Sequence, residues 1–143
     1  QYDTKKIILT GHSSGGATST LMAFNLETDY SQPYEIYSII TFGSPRIGNS
    51  EFVNLFRNYN FISYRITHYY DIVPHLPQES FGYNHIPQEV WYNEPNTEYK
   101  ICNAKNGTED DSCSNSCAPT KCTSTSDHLD YLQIKMGEGG YCW

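Results

Sequence analysis

Hydrophobic positions in this chain come in short blocks separated by turn-forming residues, and the first block is the most informative. Ile7, Ile8 and Leu9 make an apolar run that stops at Thr10. Gly11, His12, Ser13, Ser14 and Gly15 follow, and Leu21, Met22 and Leu26 then recur at helical spacing. The pattern predicts a strand over 7–10, a tight turn with Ser13 at its apex, and a helix over 15–25. That helix presents Leu21, Met22 and Leu26 to the core and meets a polar stop over 28–32. A second block over 36–42 is almost continuously apolar, as a strand covered on both faces would be. Asn49 or Ser50 can cap a short helix over 51–57 with Phe52, Leu55 and Phe56 inward, and 61–68 reads as a third strand. Strands and helices alternating in units this short predict an α/β fold, a parallel sheet with crossover helices.

The second half is less periodic. Residues 82–92 read as a turn followed by a strand or hairpin arm carrying Trp91, and 103–126 show no hydrophobic period at all. Ser126 or Asp127 caps a short helical turn, with His128 at its start and Leu129, Tyr131 and Leu132 packed behind it. At 143 residues the expectation is one domain over 1–143, with 103–126 an irregular cysteine-rich loop. A net charge of -7 without a basic stripe argues against a nucleic-acid partner. The apolar runs are too short for a transmembrane segment or a signal peptide. Aromatic residues at 15%, thirteen of them tyrosine, suit an amphipathic surface facing lipid or carbohydrate.

Candidate chemistry begins with G-x-S-x-G over 11–15. A serine nucleophile on a sharp strand-to-helix turn has its Oγ lifted clear of the sheet, and a Cβ at Gly11 or Gly15 would crowd the adjoining strand and helix. The Ser14 backbone N–H then faces the place where an oxyanion would form, reinforced by the positive end of the helix. Asp71 follows the third strand, on the carboxyl edge where the turn also opens, and Pro74 and Pro77 stiffen the loop behind it. A serine needs a neutral imidazole as base and a carboxylate to orient that imidazole. Serine, aspartate and histidine occur here in the α/β-hydrolase order. His12 lies inside the turn, pointing away from the nucleophile. His68 belongs to the strand, and His75 is too close to Asp71. His85 and His128 both satisfy the order. His128 is preferred for its loop-to-helix junction, and His85 is the runner-up base.

Cysteines stand at 102, 113, 117, 122 and 142. No clean CxxC pair exists, so disulfides account for them better than a zinc site, and no metal or cofactor is called for. Asn106, Gly107 and Thr108 make a glycosylation sequon, in keeping with an oxidising, secreted setting.

TGHSSGGA, TFGSPRIGN, THYYDIVPHLP, GYNHIPQEVWY and DHLDYL, in this order over nearly the whole chain, resemble the signature segments of the class 3 (fungal-type) lipases. The resemblance implies an α/β-hydrolase with Ser13 as nucleophile, Asp71 as triad acid and His128 as base. His85 matches a family histidine that is not the base. Ser14 departs from the family, which usually has leucine there. The family also carries further strands, a lid helix and a turn giving a second oxyanion donor before the serine strand. The resemblance therefore implies the C-terminal half of such a domain, with N-terminal strands and lid missing and the edge of 7–10 left open. Secreted relatives close the late loop with a disulfide. By proximity in sequence Cys102 can pair with Cys113 and Cys117 with Cys122, although residue order alone leaves the connectivity open; Cys142 would then be the odd one, its partner upstream of Gln1. The implied activity is hydrolysis of triacylglycerol-type esters at a lipid–water interface. A feruloyl or other carboxylesterase is the alternative, and a non-catalytic lipid-binding remnant or a zinc-binding module are readings from other classes.

Overall fold

The first apolar block forms β1 (Lys6–His12) in a computed structural model that describes residues 5–29, 33–103, 109–117 and 120–137. It is followed by α1 (Ser14–Thr28), β2 (Glu35–Phe42), α2 (Ser50–Phe56) and β3 (Ile62–His68). Next come β4 (Glu89–Tyr92), β5 (Tyr99–Ile101), α3 (Thr125–His128) and a hairpin of β6 (Asp130–Tyr131) with β7 (Ile134–Lys135). The sheet order is β1-β2-β3-β4-β5, parallel except for β5. The carboxyl ends of β1, β2 and β3 therefore share one rim. Trp91 sits in β4 and pairs with Lys100 across the hairpin.

The register between β1 and β2 skips a residue: Ile7 pairs with Ile36, but Ile8 pairs with Ser38. Tyr37 is thus an extra residue, and the skip switches which face each later side chain takes. Its consequence is that Ile36 and Ile39, of opposite parity, enter the same core cluster with Ala23, Val53, Phe56 and Ile86.

The helices correct the expected inward faces. In α1 the buried residues are Gly16, Thr20 and Ala23, while Leu21 and Met22 are 46% and 48% exposed. Small residues bring the helix close: a Cβ at Gly16 would lie 2.8 Å from Ser44 Cβ. Leu26 does pack against the core. In α2 the inward residues are Val53 and Phe56 with Phe52 partly buried, whereas Leu55 faces out. Asn49 caps that helix, accepting the Phe52 N–H at 3.0 Å. Phe56 meets Phe61 edge-on at 5.3 Å, closing an aromatic cluster with Phe24, Phe52 and Tyr59.

The cysteine-rich loop contains a 3₁₀ turn at Ser114–Cys117 and two disulfides, Cys102–Cys113 and Cys117–Cys122. The four described cysteines are all consumed in those bonds, so none of them offers a zinc module a thiolate. Cys142 and the sequon residue Asn106 lie outside the described residues. Among those described, no helix is long and apolar enough to cross a membrane.

Candidate active site

β1 passes directly into α1 through Ser13, whose φ of 58° and ψ of -130° lie in a region that L residues rarely occupy. Such a residue costs on the order of 1–3 kcal/mol and persists only where its surroundings impose it. The Ser13 N–H donates to the Phe42 carbonyl at 2.9 Å, and its own carbonyl accepts the Gly16 N–H at 2.9 Å. Gly11 is required because a Cβ there would stand 2.3 Å from the Gly15 carbonyl carbon. Gly15 is a correction: a Cβ on it would meet nothing within 4 Å, so the crowding falls on Gly11 and Gly16 instead. Ser14 is the first residue of α1 and exposed, so its N–H is a first-turn donor with no partner inside the helix.

Asp71 leaves β3 by a turn and is 1% exposed. Its Oδ1 accepts the Val73 N–H at 2.8 Å, and its Oδ2 accepts the Tyr131 hydroxyl at 2.5 Å. The same Oδ2 lies 2.9 Å from His128 Nδ1, and His128 Nε2 lies 2.9 Å from Ser13 Oγ. An ionised carboxylate only accepts, so Nδ1 carries the proton and Nε2 is free to accept from the serine. The structure therefore brings Ser13, Asp71 and His128 into one hydrogen-bonded series.

Ser124 couples the two loops that supply this series. It bridges the Asp71 segment, donating its N–H to Tyr70 O at 3.0 Å and accepting the Ile72 N–H at 3.2 Å. Its Oγ accepts the Asp127 N–H at 3.0 Å and so caps α3. The cap is thus Ser124 rather than Ser126 or Asp127, and His128 closes the helix rather than opening it. Of the residues expected behind His128, Tyr131 is buried but Leu129 and Leu132 are exposed. His68 is buried, its ring nitrogens 3.0 Å from Asp127 O and 2.9 Å from Glu94 O.

His85 lies elsewhere. It is buried behind the Asp71 loop, Nε2 donating to Pro74 O at 2.6 Å and backbone N–H to Glu109 Oε1 at 3.1 Å. Arg46 completes this cluster with two bonds to Glu109, at 2.6 and 2.7 Å, and one to Pro77 O at 3.0 Å. An open groove of about 700 Å³ between the Asp71 and cysteine loops is lined by Arg46, His75, Leu76, Glu79, Asn115 and Cys122, not by Ser13.

Burial lowers the pKa of His75 to about 4 and that of His85 well below 6.5, with a nearby arginine adding to each. Burial pushes Glu109 up, yet bonds from Arg46 lead the groups that bring it down to about 2. The unfolded chain binds protons at both histidines below about pH 6.5, and the folded chain does not. Their contribution to stability is complete above that pH and is lost as pH falls towards about 4. Glu109 extends the loss from 4.5 down to about 2. Urea unfolding between about pH 7.5 and 4 is expected to show a falling midpoint at constant slope.

Residue reading did not find the part played by Tyr131, which looked like packing only. Burial and then the charge of Asp71 hold its pKa well above 10, so it remains a donor. Tyr131→Phe is expected to cost about 1.5–3 kcal/mol, as loss of a hydrogen bond to a charged group does. Thermal melts of the variant beside the wild type check this.

The profile of the family described as lipase (class 3) matches residues 1–81, which is 81 of 143 positions. This chain belongs to the class 3 lipase family. A lipase of Rhizopus niveus is 38% identical over 137 residues, covering 95% of this chain and 34% of that protein. Secreted mono- and diacylglycerol lipase 1 of Fusarium solani is 44% identical over 88 residues, 62% of this chain and 25% of its own. A solved triacylglycerol lipase, described as having a serine protease triad for its catalytic centre, superposes with a TM-score of 0.80. Its identity is 36%, over 96% of this chain and 51% of that one. The class 3 lipase chain here thus spans about a third of the Rhizopus protein's length and half of the solved chain, and its fold is part of an α/β-hydrolase.

Proposed function

We propose that the protein hydrolyses carboxylic esters of lipids, triacylglycerol type foremost, through an acyl-enzyme on Ser13. The reading rests on the series Ser13 Oγ, His128 Nε2, His128 Nδ1 and Asp71 Oδ2, with both contacts at 2.9 Å. Ser13 Oγ attacks the ester carbonyl as its proton moves to His128 Nε2. The resulting oxyanion meets the Ser14 N–H at the positive end of α1. Collapse breaks the bond to the alcohol, which leaves with the proton from Nε2. Water then gives a proton to His128 and attacks the acyl carbon, and the carboxylic acid departs as Ser13 recovers its proton. Asp71 holds the imidazole tautomer and offsets its positive charge. No step calls for a metal or cofactor.

The likeness to lipases named for triacylglycerol and for mono- and diacylglycerol supports a lipid ester. Two disulfides and the secreted relative support an extracellular setting. A series of esters of rising acyl length, assayed with the purified natural protein, tests the substrate. Activity that jumps where the ester exceeds its solubility is the expected result. Activity confined to dissolved esters would assign a feruloyl or other carboxylesterase. Vesicle binding that survives Ser13→Ala, in a wild type without hydrolysis, would assign a lipid-binding protein.

A further inference from the structure

We infer that His12 is a positioning residue for His128, holding it by the main chain and by the face of its ring. The inference builds on the hydrolysis proposed above. His12 is the last residue of β1, and its Nε2 stands 2.8 Å from the carbonyl oxygen of His128. A carbonyl only accepts, so the His12 nitrogen carries the proton. The two imidazoles also stack, with centroids 4.5 Å apart and planes 30° apart. The Tyr131 ring stands edge-on to His12 at 5.5 Å.

These contacts supply what the rest of the site omits. Asp71 restrains His128 in the plane of its ring at Nδ1. α3 is only four residues long and ends at His128, so it fixes the backbone there weakly. The bond to the His128 carbonyl ties that helix end to the strand that carries Ser13, and the stack blocks the ring from tipping out of plane. Nucleophile and base are thereby registered through one neighbouring residue.

Charge decides the form in which His12 works. The groups facing it are His128 from α3, Asp71 from the turn after β3 and Tyr131 from β6. Burial leads the effects on His12 and lowers its pKa; the bond to the His128 carbonyl opposes this, the His128 ring adds to it, and the Asp71 charge opposes it, with the neutral form favoured on balance. During turnover His128 becomes an imidazolium, whose face is well received by a neutral ring. A second imidazolium at 4.5 Å would oppose that protonation. Activity therefore requires both histidines to start neutral.

Two single variants of the natural protein separate the contacts. His12→Phe keeps the ring and loses the donor, and His12→Gln keeps a donor and loses the ring. Each is expected to lower kcat roughly 10-fold with KM unchanged. A melting temperature that drops while kcat matches wild type would overturn the inference. The downfield NMR resonance of the His128 Nδ1 proton judges positioning without turnover. It is expected to be sharp in wild type and broadened in His12→Ala, and equal sharpness in both would overturn the inference. If the wild type hydrolyses no ester, the proposed reaction fails while this resonance still tests His12.

Discussion

Ester turnover is expected to fall about 10⁵- to 10⁶-fold when either Ser13 or His128 is replaced by alanine, and the double variant is expected to fall little further. Members of a nucleophile–base pair act as a unit, so removal of one leaves the other nothing to do. The distances set this expectation, because His128 Nε2 is within 2.9 Å of Ser13 Oγ. His85 makes the contrast. Its Nε2 is bonded to Pro74 O and its ring is buried away from Ser13, so His85→Gln is expected to lower stability and leave kcat within a few fold. Steady-state kinetics beside urea unfolding of the variants distinguishes a lost base from a loosened fold.

Gly43→Ala is expected to reduce turnover about 10³- to 10⁴-fold without touching any reacting atom, close to the effect of misorienting a triad carboxylate. Gly43 has a φ of +55°, and an added Cβ would stand 2.8 Å from Tyr131 Oη, 2.9 Å from Asp71 Oδ2 and 3.1 Å from His128 Nδ1. Those three atoms form the junction that orients the imidazole, so the methyl group must displace at least one of them. Backbone strain adds on the order of 1–3 kcal/mol to the cost. Gly82→Ala is the control, since φ is +85° there but a Cβ meets nothing within 4 Å. It should share the strain and spare the activity, as kcat and melting temperature measured on both will show.

Much of this arrangement was legible from residue order. The strand, glycine turn and helix around Ser13 announce themselves because a change of period and a conformational exception coincide at one place. The parallel sheet follows from alternating short units, and the position of Asp71 follows from where such strands end. Properties that depend on close approach were hidden. The core face of α1 is Gly16, Thr20 and Ala23, which hydrophobicity cannot distinguish from a solvent face. The skipped residue at Tyr37 alters sheet register without any glycine or proline to mark it. β6 and β7 are two residues each, below the length at which alternation can be read. The contacts of His12, Tyr131 and Ser124 arise from chain segments far apart in sequence. DHLDYL does place a tyrosine three residues after His128, a spacing that brings its hydroxyl back to Asp71 once α3 gives way to β6.

The most direct test of the account is reaction of the purified natural protein with a fluorophosphonate probe, followed by mass mapping of the adduct. Label on Ser13, lost in His128→Ala and kept in His85→Gln, is the predicted result. A wild-type protein that carries no label on Ser13, or that labels equally well without His128, would contradict it.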